Sequence, residues 1–216
     1  CTTISGSYTL FPRDGLIQQI FKTLRYSFKY NGWVNKIGLR NKGLKWAIDN
    51  IPENQIISIA IMNENEIHGI LENLPNNRNI EINVSCPNVD KESLSSLEKF
   101  IKKDRKWCII KISPTCTNDE IDNYYEMGFR QFHCCNTIPV KEGGLSGISL
   151  IPYTTQKVKY IREKYNDTEI IAGGGIKYFN DILHYRAIGA NHFSISTLFL
   201  HPIIFSKFYY HYVKNN

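Results

Sequence analysis

Residues 169–176 read Glu169-Ile170-Ile171-Ala172-Gly173-Gly174-Gly175-Ile176, a short β-branched run that empties into three glycines. Such a run reads as a strand whose C-terminal end opens into a turn, and glycine there removes the Cβ that would keep a ligand away from the backbone. The same pattern recurs along the chain. From Asn54 onward, β-branched runs alternate with segments of helical period, each pair about the length of one βα unit. Strands are expected at 56–61, 80–85, 107–112, 131–135, 169–172 and 192–196, with a further one at 2–9. Helices are expected at 64–74, 91–103, 118–127, 152–165, 179–188 and 202–213. Alternation of this kind implies a parallel sheet or barrel.

The segments after the strands are polar or rich in glycine: Cys86-Pro87-Asn88, Ser113-Pro114-Thr115, Asn136-Thr137, Gly173-Gly174-Gly175 and Ser196-Thr197. In a (β/α)8 TIM barrel those strand ends form the active-site face. A doubly wound open sheet carries its glycine-rich phosphate loop after the first strand, whereas the densest glycine cluster here lies near the C-terminus. The expected fold is therefore a single α/β barrel domain over residues 1–216. Seven strands are counted instead of eight, so either the first βα unit lies upstream of Cys1 or an irregular unit lies within residues 10–50.

Composition narrows the class. With 42% apolar, 21% charged and 12% aromatic residues, 216 residues suffice for a sizeable core, and disorder is excluded. No apolar run approaches the ~20 residues of a bilayer span, and no basic-then-apolar leader opens the chain, so a membrane is not expected as a partner. Six cysteines without framework spacing point to reduced thiols and a cytoplasmic setting. The net charge of +6 comes from Lys and Arg scattered among Asp and Glu, which argues against nucleic acid. His133, His184, His192 and His201 lack metal-ligand spacing, so no metal is expected. In Cys134-Cys135, strand alternation would turn one thiol inward and one outward, in a packing role. The aromatics of 205–210 recur at helical spacing, as in a helix that covers the sheet.

Two constellations could carry chemistry. Backbone amides after Ala172 and at Ser196-Thr197, on adjacent strands, could cradle a phosphate, with the two hydroxyls as further donors. Asn83-Val84-Ser85-Cys86-Pro87-Asn88 sets carboxamides and a thiol where a strand ends, and carboxamides that donate and accept at once suit a planar ligand with alternating amide groups.

Taken in order, residues 83–88, residues 111–114, Asn136-Thr137, Gly143-Gly144-Leu145-Ser146-Gly147 and residues 173–176 resemble the dihydroorotate dehydrogenase family over about residues 3–202. Pro12-Arg13-Asp14-Gly15 and residues 35–41 resemble two more of its motifs. The resemblance implies an FMN-dependent (β/α)8 barrel that oxidises dihydroorotate to orotate in pyrimidine biosynthesis. It implies Cys86 as the catalytic base, a thiol that marks the soluble class where the membrane-associated class has Ser. Asn35, Asn83, Asn88, Asn136 and Thr137 would hold the substrate. Lys111 would stand near the pyrimidine edge of the flavin, and Gly147, Gly174, Gly175, Ser196 and Thr197 around its ribityl phosphate. Gly143 to Gly147 and His201-Pro202 look closer to the subclass that passes electrons to a partner flavin and iron-sulfur subunit, with fumarate as the other acceptor and a homodimer as another assembly.

Departures from the family pattern are also legible. Gly6 stands where the family has a lysine that contacts flavin and substrate, Ser196 where Gly is common, and Leu16 where Asn often follows the Pro-Arg-x-Gly motif. The alternative reading is accordingly a flavin- or phosphate-binding barrel relative without turnover.

Overall fold

A computed structural model describes residues 2–84 and 96–215, so Cys86 and Asn88 lie outside the described residues. In chain order the elements are β1 (Ile4–Tyr8), α1 (Leu16–Thr23), β2 (Arg25–Ser27), β3 (Gly32–Asn35), α2 (Leu44–Asn50), β4 (Ile56–Ala60), α3 (Glu66–Asn73), β5 (Ile80–Asn83), β6 (Cys108–Ile112), α4 (Asn118–Glu126), β7 (Gln131–Cys134), β8 (Ile138–Val140), β9 (Gly143–Gly147), α5 (Ile151–Lys164), β10 (Glu169–Gly173), α6 (Phe179–Ala187), β11 (His192–Ser194) and α7 (Pro202–Lys214).

The expected strands pair in parallel into a seven-stranded sheet of order β1-β4-β5-β6-β7-β10-β11. Among the described residues β1 and β11 are its two ends, so the sheet is not a closed eight-stranded barrel. Residues 10–50 do not supply an eighth strand. Their β2 and β3 join β9 and β8 in a separate antiparallel sheet of order β2-β3-β9-β8. That second sheet is assembled from two connections at the C-terminal end of the main one, the segment leaving β1 and the segment leaving β7. Helix 91–103 is a second correction: its described part is a short 3-10 turn, Leu97–Phe100, and the remainder of its first half lies outside the described residues. Short α1 and α2, which the sequence pattern did not single out, complete the β1 to β4 connection.

Strand alternation divides the main sheet into two faces. Ile57, Ile59, Ile80, Ile82, Ile110, Ile112, Phe132, Ile170 and Ala172 pack with Ile67, Ile70, Ile121, Val158, Ile161 and Ile182 of the helices in one large core. The opposite face begins with a small apolar layer of Ile56, Ile109 and Ile171, backed by Ile4 and Trp107. One and two pleats further on, the same face carries Ser58, Glu81, Asn83, Lys111 and His133. Both Cys134 and Cys135 are buried in the helix-side core, so the expected inward and outward split of these thiols does not occur.

Two polar devices fix the connections. Helix α4 begins at Asn118, as expected, and is capped by Thr117: Thr117 Oγ1 accepts from the Glu120 amide at 3.2 Å and Glu120 Oε2 accepts from the Thr117 amide at 2.6 Å. The segment after β1 is closed by buried Asn41, whose Oδ1 accepts from the amides of Thr9 at 3.2 Å and Gly43 at 2.7 Å. Its Nδ2 donates to Thr9 Oγ1 at 2.9 Å and to the Leu39 carbonyl at 2.7 Å. An Asn41→Ala change strands these buried groups, each worth about 1–3 kcal/mol when left unpaired. A loss of roughly 2–4 kcal/mol is expected in urea unfolding, against ~1 kcal/mol for Thr117→Ala.

Candidate active site at the C-terminal strand ends

The polar stretch of the sheet's inner face is built around Glu81, which is completely buried. Register sets Ser58 of β4 beside Glu81 of β5, and Lys111 of β6 beside both Asn83 and His133. Glu81 Oε1 accepts from Ser58 Oγ at 2.7 Å and lies 3.5 Å from Lys111 Nζ. Its Oε2 lies 2.6 Å from His133 Nδ1.

Burial works against the Glu81 charge, but the Lys111 ammonium, His133 and the Ser58 hydroxyl together prevail and bring its carboxyl down from the usual 4.5 to about 2. Burial pushes the His133 imidazole down, towards the neutral form, despite the carboxylate beside it. With Lys111 already balancing Glu81, a second cation would leave the buried cluster with an excess charge. His133 is therefore neutral and donates its Nδ1 proton to Glu81.

The carboxamides connect to this cluster. Asn83 Nδ2 donates to Ser7 Oγ at 2.9 Å, and Ser7 Oγ lies 2.9 Å from Ser58 Oγ. Asn136 Nδ2 donates to Asn83 Oδ1 at 3.1 Å, while Asn136 Oδ1 accepts from the Thr137 amide at 2.8 Å. The amides of Cys135 and Asn136 donate to the carbonyls of Gly173 and Ile112 at 3.1 and 3.0 Å, which pins this pair of residues to the strands on either side. Thr137 packs against Gly144, and Gly144 is the register partner of Asn35. Asn83, Asn136, Thr137 and Lys111 are thus brought into one contiguous region, and β9 brings the Asn35 backbone to its border, where Asn35 Oδ1 accepts from the Ile37 amide at 3.3 Å. Cys86 and Asn88 fall outside the described residues.

A second region forms where the antiparallel sheet meets the loops after β10 and β11. A small cavity of about 30 Å³ is lined there by Gly147, Gly175, Ile176, Lys177 and Thr197, together with Tyr26, Trp33 and His201. Trp33 Nε1 donates to His201 Nε2 at 3.0 Å, tying β3 to the start of α7. Gly174 borders this wall and packs on Leu150, while exposed Ser196 caps the turn that begins at Thr197. Gly173, the first of the three glycines, serves the other region: a Cβ on it would lie 2.7 Å from His133 Nε2.

Gly6 is the register partner of Ser58, with φ +126° and an ideal Cβ position 2.6 Å from the Ser58 carbonyl oxygen. A lysine would not fit on this backbone.

Glu81, Ser58, Ser7 and the role of His133 were missed by motif reading. Their signal was alternation: in Ile57-Ser58-Ile59, Ile80-Glu81-Ile82-Asn83 and Phe132-His133-Cys134, polar residues interrupt apolar strands on one face. Tyr26 and Trp33 carried no comparable signal.

Polar side chains gathered at the C-terminal ends of a parallel sheet, beside a small cavity, are the arrangement that barrel enzymes use for small-molecule sites. The family model for dihydroorotate dehydrogenase matches residues 3–210, and the chain belongs to this family of oxidoreductases. The catalytic subunit of dihydroorotate dehydrogenase B (NAD(+)) from Brachyspira hyodysenteriae is 30% identical over 233 residues, covering 91% of this chain and 75% of that protein. Dihydroorotate dehydrogenase A (fumarate) from Limosilactobacillus reuteri is 26% identical over 234 residues, covering 90% of this chain and 74% of its own. Among solved structures, DHODH from Eimeria tenella in complex with ferulenol superposes with a TM-score of 0.63 at 19% identity, over 95% of this chain and 71% of that one. That likeness supports a TIM-barrel-like α/β fold for the seven-stranded sheet. Among the described residues no helix is long and apolar enough to cross a membrane, and no cluster of side chains could hold a metal.

Because the Glu81 carboxyl is depressed on folding, its contribution to stability is present above the ordinary value of 4.5 and is lost as pH falls towards about 2. The unfolding free energy measured in urea should therefore fall across that window, by an amount on the order of 3 kcal/mol from this group. Glu81→Gln should flatten that part of the profile.

Proposed function

We propose that this chain is a cytoplasmic dihydroorotate dehydrogenase that oxidises dihydroorotate to orotate in pyrimidine biosynthesis, as a single FMN-binding barrel domain. The observation that carries the proposal is the Asn136–Asn83 carboxamide pair, bonded at 3.1 Å, with Lys111 as the register partner of Asn83, in a member of this family. Carboxamides held by each other and by Ser7 offer fixed donors and acceptors to the amide edges of a pyrimidine. Asn35, Asn88 and Thr137 would complete that grip.

The cavity at the second region supports a phosphate. Its lining includes Lys177, Thr197, Gly147 and Gly175, residue types that can supply donors to an anion. Gly147, Gly174, Gly175, Ser196 and Thr197 would hold the FMN phosphate and ribityl chain, with Lys111 at the pyrimidine edge of the ring. FMN, when bound, supplies the two-electron acceptor. Cys86 would take the proton from C5 of the substrate while the carboxamides fix the ring's orientation. Relatives named for both fumarate and NAD(+) match the chain, so fumarate and a partner flavin and iron-sulfur subunit are the two candidate acceptors, with a homodimer as the minimal assembly.

A second reading is favoured by Gly6. With no cation supplied from that position, and no room for one, the chain could bind FMN and the pyrimidine without turnover.

Purified protein is expected to be yellow or to take up FMN; a folded, colourless protein that ignores added FMN would refute the cofactor assignment. In anaerobic single-turnover mixing with dihydroorotate, Cys86→Ala should slow flavin reduction by about 10²-fold or more. FMN binding without any reduction by dihydroorotate in the native protein would select the second reading.

A further inference from the structure

Glu81, the buried partner of Lys111, touches neither the proposed substrate groups nor the proposed phosphate cavity. We propose that Glu81 is the positioning residue for Lys111: its buried carboxylate, anchored by Ser58 and His133, holds the ammonium in place and offsets its charge, so that the pair sets how strongly the site favours an anionic, reduced cofactor. This rests on the FMN reading for its functional half only.

The pair is asymmetric. The Glu81 side chain is 0% exposed and the Lys111 side chain 21%, so the anion is sealed beneath the site and the cation forms its edge. The carboxylate is the better fixed of the two, with hydrogen-bond contacts at 2.7 Å to Ser58 Oγ and 2.6 Å to His133 Nδ1. Each anchor comes from a strand neighbouring β5 or the next one along, so the position of Glu81 is set by sheet register and passed to Lys111 at 3.5 Å. The other branch of the network runs from Ser58 through Ser7 to Asn83 and Asn136, at 2.9, 2.9 and 3.1 Å. One buried carboxylate therefore underlies both the cation and the carboxamides.

The charge arithmetic is simple. Glu81 at −1, Lys111 at +1 and neutral His133 sum to zero, and Gly6 adds no cation from β1. Replacing Glu81 by the isosteric Gln leaves the site at +1. An unbalanced cation at the edge of the site stabilises negative charge on a reduced ligand.

Two measurements test the proposal. In the FMN-loaded protein, Glu81→Gln should favour two-electron reduction of the bound flavin by about tenfold or more, a midpoint ~30 mV more positive. A purely structural Glu81 would leave that potential unchanged, and an unchanged potential overturns the proposal.

The second measurement needs no cofactor. In FMN-free Lys111→Met, the buried cluster of Glu81, His133 and Ser58 must take up a proton to stay neutral. A group whose folded pKa is raised stabilises below its unfolded value and stops doing so as pH rises through the folded one. The folding equilibrium constant of Lys111→Met should thus fall about tenfold or more, relative to the native chain, between pH 5 and 8. The buried Cys135 thiol also senses Lys111 and is held below its ordinary value of 9.0, chiefly by its hydrogen bond with Cys134, so both chains carry Cys135→Ala in this comparison. A Lys111→Met profile parallel to the native one shows that Glu81 and Lys111 are not coupled, and overturns the proposal. If the protein binds no FMN, the function reading fails while this second arm still decides the pairing, and it does so equally if Glu81→Gln does not fold.

Discussion

A carboxylate removed from water is the constraint on which this structure turns. An unpaired charge in the interior costs several kcal/mol, so Glu81 is compatible with the fold only while its oxygens are met by partners of suitable geometry. Those partners are Ser58, Lys111 and His133, on β4, β6 and β7. A slip of one residue in any of these pairings would replace them with the isoleucines, phenylalanine and cysteine of the helix-side face. The network thus specifies register as much as it contributes stability. Its members lie on consecutive strands of a sheet whose other face is almost wholly aliphatic, where hydrophobic burial alone would tolerate several pairings.

The two faces divide the labour. Helix-side residues supply the bulk of the buried apolar area, and the inner face supplies a thin layer of Ile56, Ile109 and Ile171 beneath the polar groups. That layer closes the N-terminal end of the interior and leaves the C-terminal end for chemistry. The antiparallel sheet is built from the connections leaving β1 and β7 and is tied down by Asn41 at one end and by the Trp33–His201 bond at the other. It brings Asn35 and Gly147 to strand ends far from them in sequence.

Much of this was legible in the sequence for a physical reason. Parallel strands buried on the helix side read as continuous aliphatic runs, and their ends read as glycine, proline and carboxamide clusters, so all the strands of the main sheet could be located. The antiparallel sheet could not. β2 and β8 are 3 residues each, β8 is interrupted by Pro139, β9 is mostly glycine, and no periodicity marks them. Within the site, attention to motifs found Asn83 and Lys111 but overlooked Glu81, two residues before Asn83 on the same face. The three glycines were read as a phosphate loop, yet Gly173 makes room for the His133 ring, a contact between β10 and β7 that no local pattern encodes.

Gly6 belongs to the same account. The pairing of β1 with β4 shifts between Gly6 and Tyr8, and in that irregular stretch Ser7 directs its hydroxyl to Ser58 and Asn83. The backbone that permits this contact is the one that brings the Cβ position of residue 6 against the Ser58 carbonyl. The glycine at position 6 and the Ser7 link therefore belong to one backbone arrangement. A neutral hydroxyl relay occupies the ground between β1, β4 and β5, and the electrostatics of this region fall to Glu81 and Lys111. In such an arrangement a cation cannot be introduced by substituting residue 6 alone, because the side chain would require the β1 irregularity to relax and, with it, the hydrogen bonds that orient Asn83.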